Sequence, residues 1–244
     1  MSSAAPMPAR ATPPMPAPGS APYFALLYAP HRLRAALARL LGLADEIGVG
    51  AARGLDHAVA HARLEWWRYE AAQYALGQAQ HPWLRAADAG DEARLDLLAL
   101  VEAAALDLAY GLQRPPGGEA MRRTLFVLAA QMMVAAPLSP QQSADIAALG
   151  ALTWQLERAL PPTGAAAPAL PLHSILERLG TALQPQLVPL LVWAVIDVRR
   201  AARARMSYRT ALGARIAALR HDFADNLCAW SAARRAATGT FSSP

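Results

Sequence analysis

Leu33, Leu37, Leu40 and Leu41 recur at helical spacing, and this pattern predicts a first long helix from about His31 to about Glu46. A short aromatic-aliphatic segment, Tyr23 to Tyr28, precedes it and ends at Pro30. Gly48, Gly50 and Gly54 loosen the chain that follows. Asp56 then offers a cap for a helix that carries Trp66 and Trp67 and extends to about Gly77, before His81-Pro82. Asp91 opens a third helix, Leu95 to Leu112, which stops at Arg114-Pro115-Pro116-Gly117-Gly118. A fourth covers Glu119 to Ala136, and Ser139 caps a fifth that runs to Leu160 and ends at Pro161-Pro162. After a proline- and alanine-rich break, helices from Leu172 to Leu183, Pro185 to Met206 and Ala211 to Ala237 complete the pattern.

Composition agrees with an all-α protein. Alanine, leucine and arginine dominate, all good helix formers, and β-branched or aromatic runs are scarce. At 244 residues the chain is long enough for one large core. The expected organisation is a disordered Pro/Ala-rich leader over 1–22, one helical domain over 23–238 and a disordered tail over 239–244. All 23 basic residues are arginine. The net charge of +5 is spread along nearly all helices rather than blocked together, which argues against nucleic acid as a partner. A single cysteine, Cys228, excludes an internal disulfide and two-cysteine zinc motifs, and a cytoplasmic location fits best. The apolar stretches Thr124 to Leu138 and Leu187 to Ile196 fall short of the roughly 20 residues that span a bilayer.

The most distinctive segment is Ala62-Arg63-Leu64-Glu65-Trp66-Trp67-Arg68-Tyr69-Glu70. Adjacent helical residues project about 100° apart, so the two indoles are expected to fill neighbouring sectors of a wide buried face. Arg63 stands one turn from Trp67, within stacking reach of the indole, and Glu65 stands three residues from Arg68. Arg63 and Arg68 are the anion-contact candidates of this segment, against ordinary pairing with Glu65 and Glu70. Elsewhere the chemistry is sparse. His57 and His61 share a helix face but lack a third ligand, and Cys228 sits on an apolar helix. Asp88, Glu92 and Asp96 are spaced four apart, with Asp91-Glu92 reading as the acidic first turn of a helix. Asp222 and Asp225 read as part of a solvated face.

The tryptophan segment, with its surroundings, resembles the squalene/phytoene synthase family. The likeness rests on Arg63-Leu64-Glu65-Trp66-Trp67-Arg68, with the helix from Tyr23 to Leu43 before it and His81-Pro82, Glu102, Asp107-Leu108 and Leu149 to Arg158 after it. It implies a single helical bundle of the isoprenoid (terpenoid) synthase type around a central cavity. Catalytic members hold magnesium on two aspartate-rich motifs. Here the first is replaced by Ala44-Asp45-Glu46-Ile47-Gly48-Val49-Gly50, and the second by Ala159-Leu160-Pro161-Pro162-Thr163-Gly164 after Arg158. Without metal, stabilising a departing diphosphate would fall to arginine alone.

A non-catalytic branch of the family, with proteins similar to the mitochondrial complex I assembly factor of this fold, also pairs a Leu-Glu-Ile-like turn with the tryptophan motif, and Asp45-Glu46-Ile47 resembles that turn. The expectation is therefore a non-catalytic protein without catalytic, cofactor or metal residues. It would bind a prenyl or other lipid chain or act as an assembly scaffold for a membrane-associated complex, peripheral to the membrane. Arg63, Arg68 and Arg158 are its ligand-contact candidates, and Trp66 and Trp67 its structural signature. The alternative is a divergent, magnesium-dependent prenyltransferase joining two prenyl diphosphates through Asp45, Glu46, Glu92, Asp96 and Arg158. A helical interaction domain with a filled cavity is the third reading.

Overall fold

The computed structural model describes residues 15–50, 56–85, 95–111, 118–158, 172–207 and 213–239. Helix α1 (Ala21–Leu27) starts inside the proline-rich leader, because Ser20 accepts the Tyr23 N–H at 3.3 Å and Pro22 is pre-set for a first helical turn. Ala21, Phe24, Ala25 and Leu26 are buried. The carbonyl of Gly19 accepts a hydrogen bond from Arg200. Gly19 to Pro22 thus belong to the folded body, which places its start ahead of Tyr23. Composition reads such a stretch as disordered because it cannot register one cap.

Helix α2 (His31–Gly50) runs past the expected stop at Glu46, since Leu43 and Ile47 are fully buried and carry the helix through Gly48. Helix α3 (His57–Ala75) begins where expected: Asp56 Oδ1 accepts the Ala58 N–H at 2.8 Å, and Gly77 closes its far end with φ +73°. A short α4 (Pro82–Arg85) follows, which the hydrophobic pattern does not reveal. Asp96 caps α5 (Leu97–Gly111) through the Ala99 N–H at 3.0 Å.

Helix α6 (Glu119–Met133) has a glycine, Gly118, at its N-cap and no side-chain cap of its own. Asp107 of α5 supplies one from across the fold, accepting the N–H groups of Ala120 and Met121 at 3.0 and 2.9 Å. Helix α7 (Pro140–Arg158) opens on a reciprocal cap: Ser139 Oγ accepts from Gln142 N and Gln142 Oε1 accepts from Ser139 N. Helices α8 (Leu172–Leu179), α9 (Val188–Ser207) and α10 (Gly213–Ala237) complete the chain. The described residues are all-helical apart from turns and loops.

Helix α6 packs against α2, α5, α7 and α9, and α9 against α1, α6, α7 and α10, so these two form the interior of the bundle. One cluster of buried apolar side chains extends from Ala21 to Ala236. The α6–α7 approach is close because Gly150 lacks a side chain; a Cβ there would stand 2.6 Å from the Arg122 carbonyl oxygen. Charged staples tie the periphery to this core. Asp145 joins α7 to Arg178 of α8 at 2.6 Å, and Asp225 of α10 pairs with Arg199 and Arg200 of α9. Asp225 is buried, which corrects its expected place on a solvated face; the two arginines make that burial tolerable. No described helix is long and apolar enough to cross a membrane.

Candidate functional site

The tryptophan segment is a packing device. Trp67 is buried, but Trp66 is 44% exposed, so the expectation that both indoles fill a buried face holds for one of them. The two rings meet edge to face at 4.9 Å. His81 lies 5.2 Å from Trp67 and 5.1 Å from Trp83, and its Nε2 approaches Glu46 at 3.3 Å. Its Nδ1 accepts the Trp83 N–H, which assigns the Nε2 proton to the Glu46 side. Trp67, His81, Trp83 and Glu46 thereby join α2, α3 and α4.

The arginines of the segment are committed or remote. Arg68 donates to both oxygens of Glu102 on α5 and pairs with Glu65. The Glu102 hydrogen bond holds the guanidinium's proton still more tightly than usual and lowers the Glu102 carboxyl. Arg63 is exposed, and no stacking on Trp67 is found. Glu70 does not pair with an arginine as expected. It is fully buried, and its Oε1 accepts the Gln80 and His81 N–H groups.

A concave feature lies elsewhere among the described residues. A cavity of about 640 Å³ opens between α2, the start of α6, the end of α7, α9 and the segment Met15 to Pro22. Leu41, Met121 and Leu125 give it apolar walls, and Trp154 and Trp193 give it aromatic ones. A smaller, wholly apolar recess borders Leu41, Leu125 and Trp193 as well and reaches Leu26, Leu37 and Met133. The polar lining side chains include Asp45, Arg122 and Glu157.

Arg122 is held on two sides: Nη2 donates to Glu157 at 2.7 Å, and the guanidinium lies 4.8 Å over the Trp193 ring. Its Nη1 is buried and has no partner. One turn beyond Trp193, Asp197 is 7% exposed, and its Oδ2 also has no partner. Burial pushes the Asp197 carboxyl up to about 7, aided by Glu157 and opposed by Arg122, Arg200 and a hydrogen bond from Trp193. Gly118, at φ +127°, makes room for the Trp154 indole, whose Nε1 would stand 2.5 Å from a Cβ there.

No family model, curated protein or solved structure matches this chain.

Of the residues named from the sequence, Asp45 faces the cavity, and Arg158 stands beside it, 4.9 Å over the Trp154 ring. Glu46 is turned to His81, and Asp96 is a helix cap. Glu92, Asp88, Asp91 and the Ala159 to Gly164 segment lie outside the described residues. Glu157, Arg122, Trp193 and Asp197 also stand at or next to the cavity, and no motif in the sequence marks them. An acid closing the apolar run Leu187 to Ile196 was the available signal for Asp197, whereas the pairing of Arg122 with Glu157 spans helices and leaves no local trace.

Magnesium demands several converging oxygen ligands. Among the lining carboxylates, Glu157 is already paired with Arg122, and the described residues contain no group of three or more side chains able to hold a metal ion. His57 and His61 bring their Nε2 atoms within 3.0 Å of each other on the exposed face of α3, but without a third ligand among the described residues.

Proposed function

We propose that this protein is a non-catalytic binder of a prenyl or other lipid chain, built on a bundle of the isoprenoid synthase type. The carrying observation is a cavity of about 640 Å³ whose apolar walls adjoin an apolar recess, while its few charged groups gather around Arg122. That division suits an elongated ligand with one polar end. Leu41, Met121 and Leu125 would line the chain, with Trp154 and Trp193 closing on it as flat apolar surfaces. The tryptophan segment supports this role at a distance by fixing α2 and α3.

Farnesol titrated into the purified protein tests the reading through tryptophan fluorescence and native mass spectrometry. Saturable binding of one chain per protein is expected, with loss on Leu125→Trp, which fills the wall. Turnover of a prenyl diphosphate with magnesium would replace this reading with that of a divergent prenyltransferase. Failure to bind any chain would leave a helical interaction domain.

A further inference from the structure

The cavity's fixed charges also specify the end of the ligand. We infer, resting on the chain-binding reading above, that the bound molecule carries an uncharged oxygen head, an alcohol or carbonyl, which accepts the free hydrogen-bond donor of Arg122. Three observations converge on this. First, Arg122 Nη1 is a buried donor without a partner, while Nη2 and the guanidinium face are fixed by Glu157 and Trp193. A buried donor left unsatisfied is costly, and an acceptor oxygen from a ligand removes that cost. The donor is held in one orientation, so the oxygen it receives is placed rather than merely attracted.

Second, the lining charges exclude a highly anionic head. Among the described lining residues Arg122 is the cation, with Arg158 beside them over Trp154; the Arg122 charge is already met by Glu157 at 2.7 Å, while Asp45 adds a further carboxylate. A diphosphate would meet two carboxylates and one shared guanidinium among the described lining residues, and the described residues hold no group of three or more side chains able to bind a metal ion that would offset its charge. Third, Asp197 lies behind the lining, hydrogen-bonded to the lining Trp193, and brings no cation to the cavity. Burial holds its carboxyl up to about 7, so near neutrality a large share of it is an uncharged acid. A neutral oxygen satisfies Arg122 without disturbing its pair.

The test compares two probes that differ only at the head, farnesol and farnesyl diphosphate, titrated into the full chain with and without magnesium and followed by tryptophan fluorescence. Farnesol is expected to bind at least tenfold more tightly than the diphosphate, with no effect of magnesium. Arg122→Gln should weaken farnesol about tenfold, the worth of one charge-assisted hydrogen bond. Asp45→Asn, at an exposed position on α2 where folding is not at stake, should narrow the gap by strengthening the diphosphate alone. Equal or tighter binding of the diphosphate overturns the inference and leaves the chain-binding reading standing. A farnesol affinity unchanged in a folded Arg122→Gln protein overturns it as well. Binding of neither probe removes the chain-binding reading, and the inference with it.

Discussion

Glu70 Oε1 lies 2.6 Å from the backbone nitrogen of His81 and equally close to that of Gln80, so one buried carboxylate closes the turn after α3. The turn in turn delivers His81 to Trp67 and Glu46. Replacing Glu70 with alanine removes the acceptor of two backbone donors, that of buried His81 and that of the more exposed Gln80. The expected cost is about 2–4 kcal/mol in equilibrium denaturation. A loss under about 0.5 kcal/mol would mean that water takes over both donors.

The paired tryptophans should separate cleanly. Trp67→Ala removes a buried indole from the α2–α3–α4 junction and is expected to cost about 3–5 kcal/mol. Trp66→Ala removes a ring that is 44% exposed, so about 1–1.5 kcal/mol is expected. Equal effects on urea midpoints would contradict this division.

Hydrophobic spacing made the helices legible, and several local signals landed where they act: Asp56 caps α3, Ser139 caps α7, and Gly118 marks the start of α6. These features depend on neighbours in sequence. What escaped depends on neighbours in space. Glu157 could not be assigned to Arg122, nor Asp107 to the amides of α6, because each link crosses between helices. Gly19 to Pro22 show a related limit: a proline-rich composition conceals Ser20, whose cap begins α1, and Gly19, whose carbonyl accepts from Arg200. The tryptophan motif was visible yet ambiguous, since a helical pattern with two large residues does not say which one faces inward.

Gly150 sets a steric limit on the central helix pair. An alanine in a helix ordinarily gains about 1 kcal/mol over glycine. Here the added Cβ would meet the Arg122 carbonyl oxygen at 2.6 Å and the Phe126 Cβ at 3.1 Å, and backbone cannot swing aside. Overpacking of this kind costs about 1–3 kcal/mol, so Gly150→Ala should lower stability on balance. It should also disturb the cavity, because Arg122 moves with its carbonyl. A melting temperature raised by the substitution would show that α6 and α7 are not in such close contact.

Asp197 gives stability a dependence on pH with a defined sign. Its carboxyl titrates at an ordinary value of 3.8 when unfolded and at about 7 when buried beside Trp193, because desolvation outweighs the pull of Arg122 and Arg200. Between those values the folded protein holds a proton that the unfolded chain releases, so the contribution of this group falls as pH rises from about 4 to about 7. It is constant above that window. Asparagine resembles the protonated acid and does not titrate. Asp197→Asn should therefore stabilise the protein at pH 8, by on the order of a few kcal/mol, and change it little at pH 4. Denaturation of both proteins across the window isolates this site from Glu157, Arg122 and Arg200, which are common to the two. A substitution that destabilises more at pH 8 than at pH 4 would show that Asp197 is ionised in the folded state and that its charge is held by the two arginines.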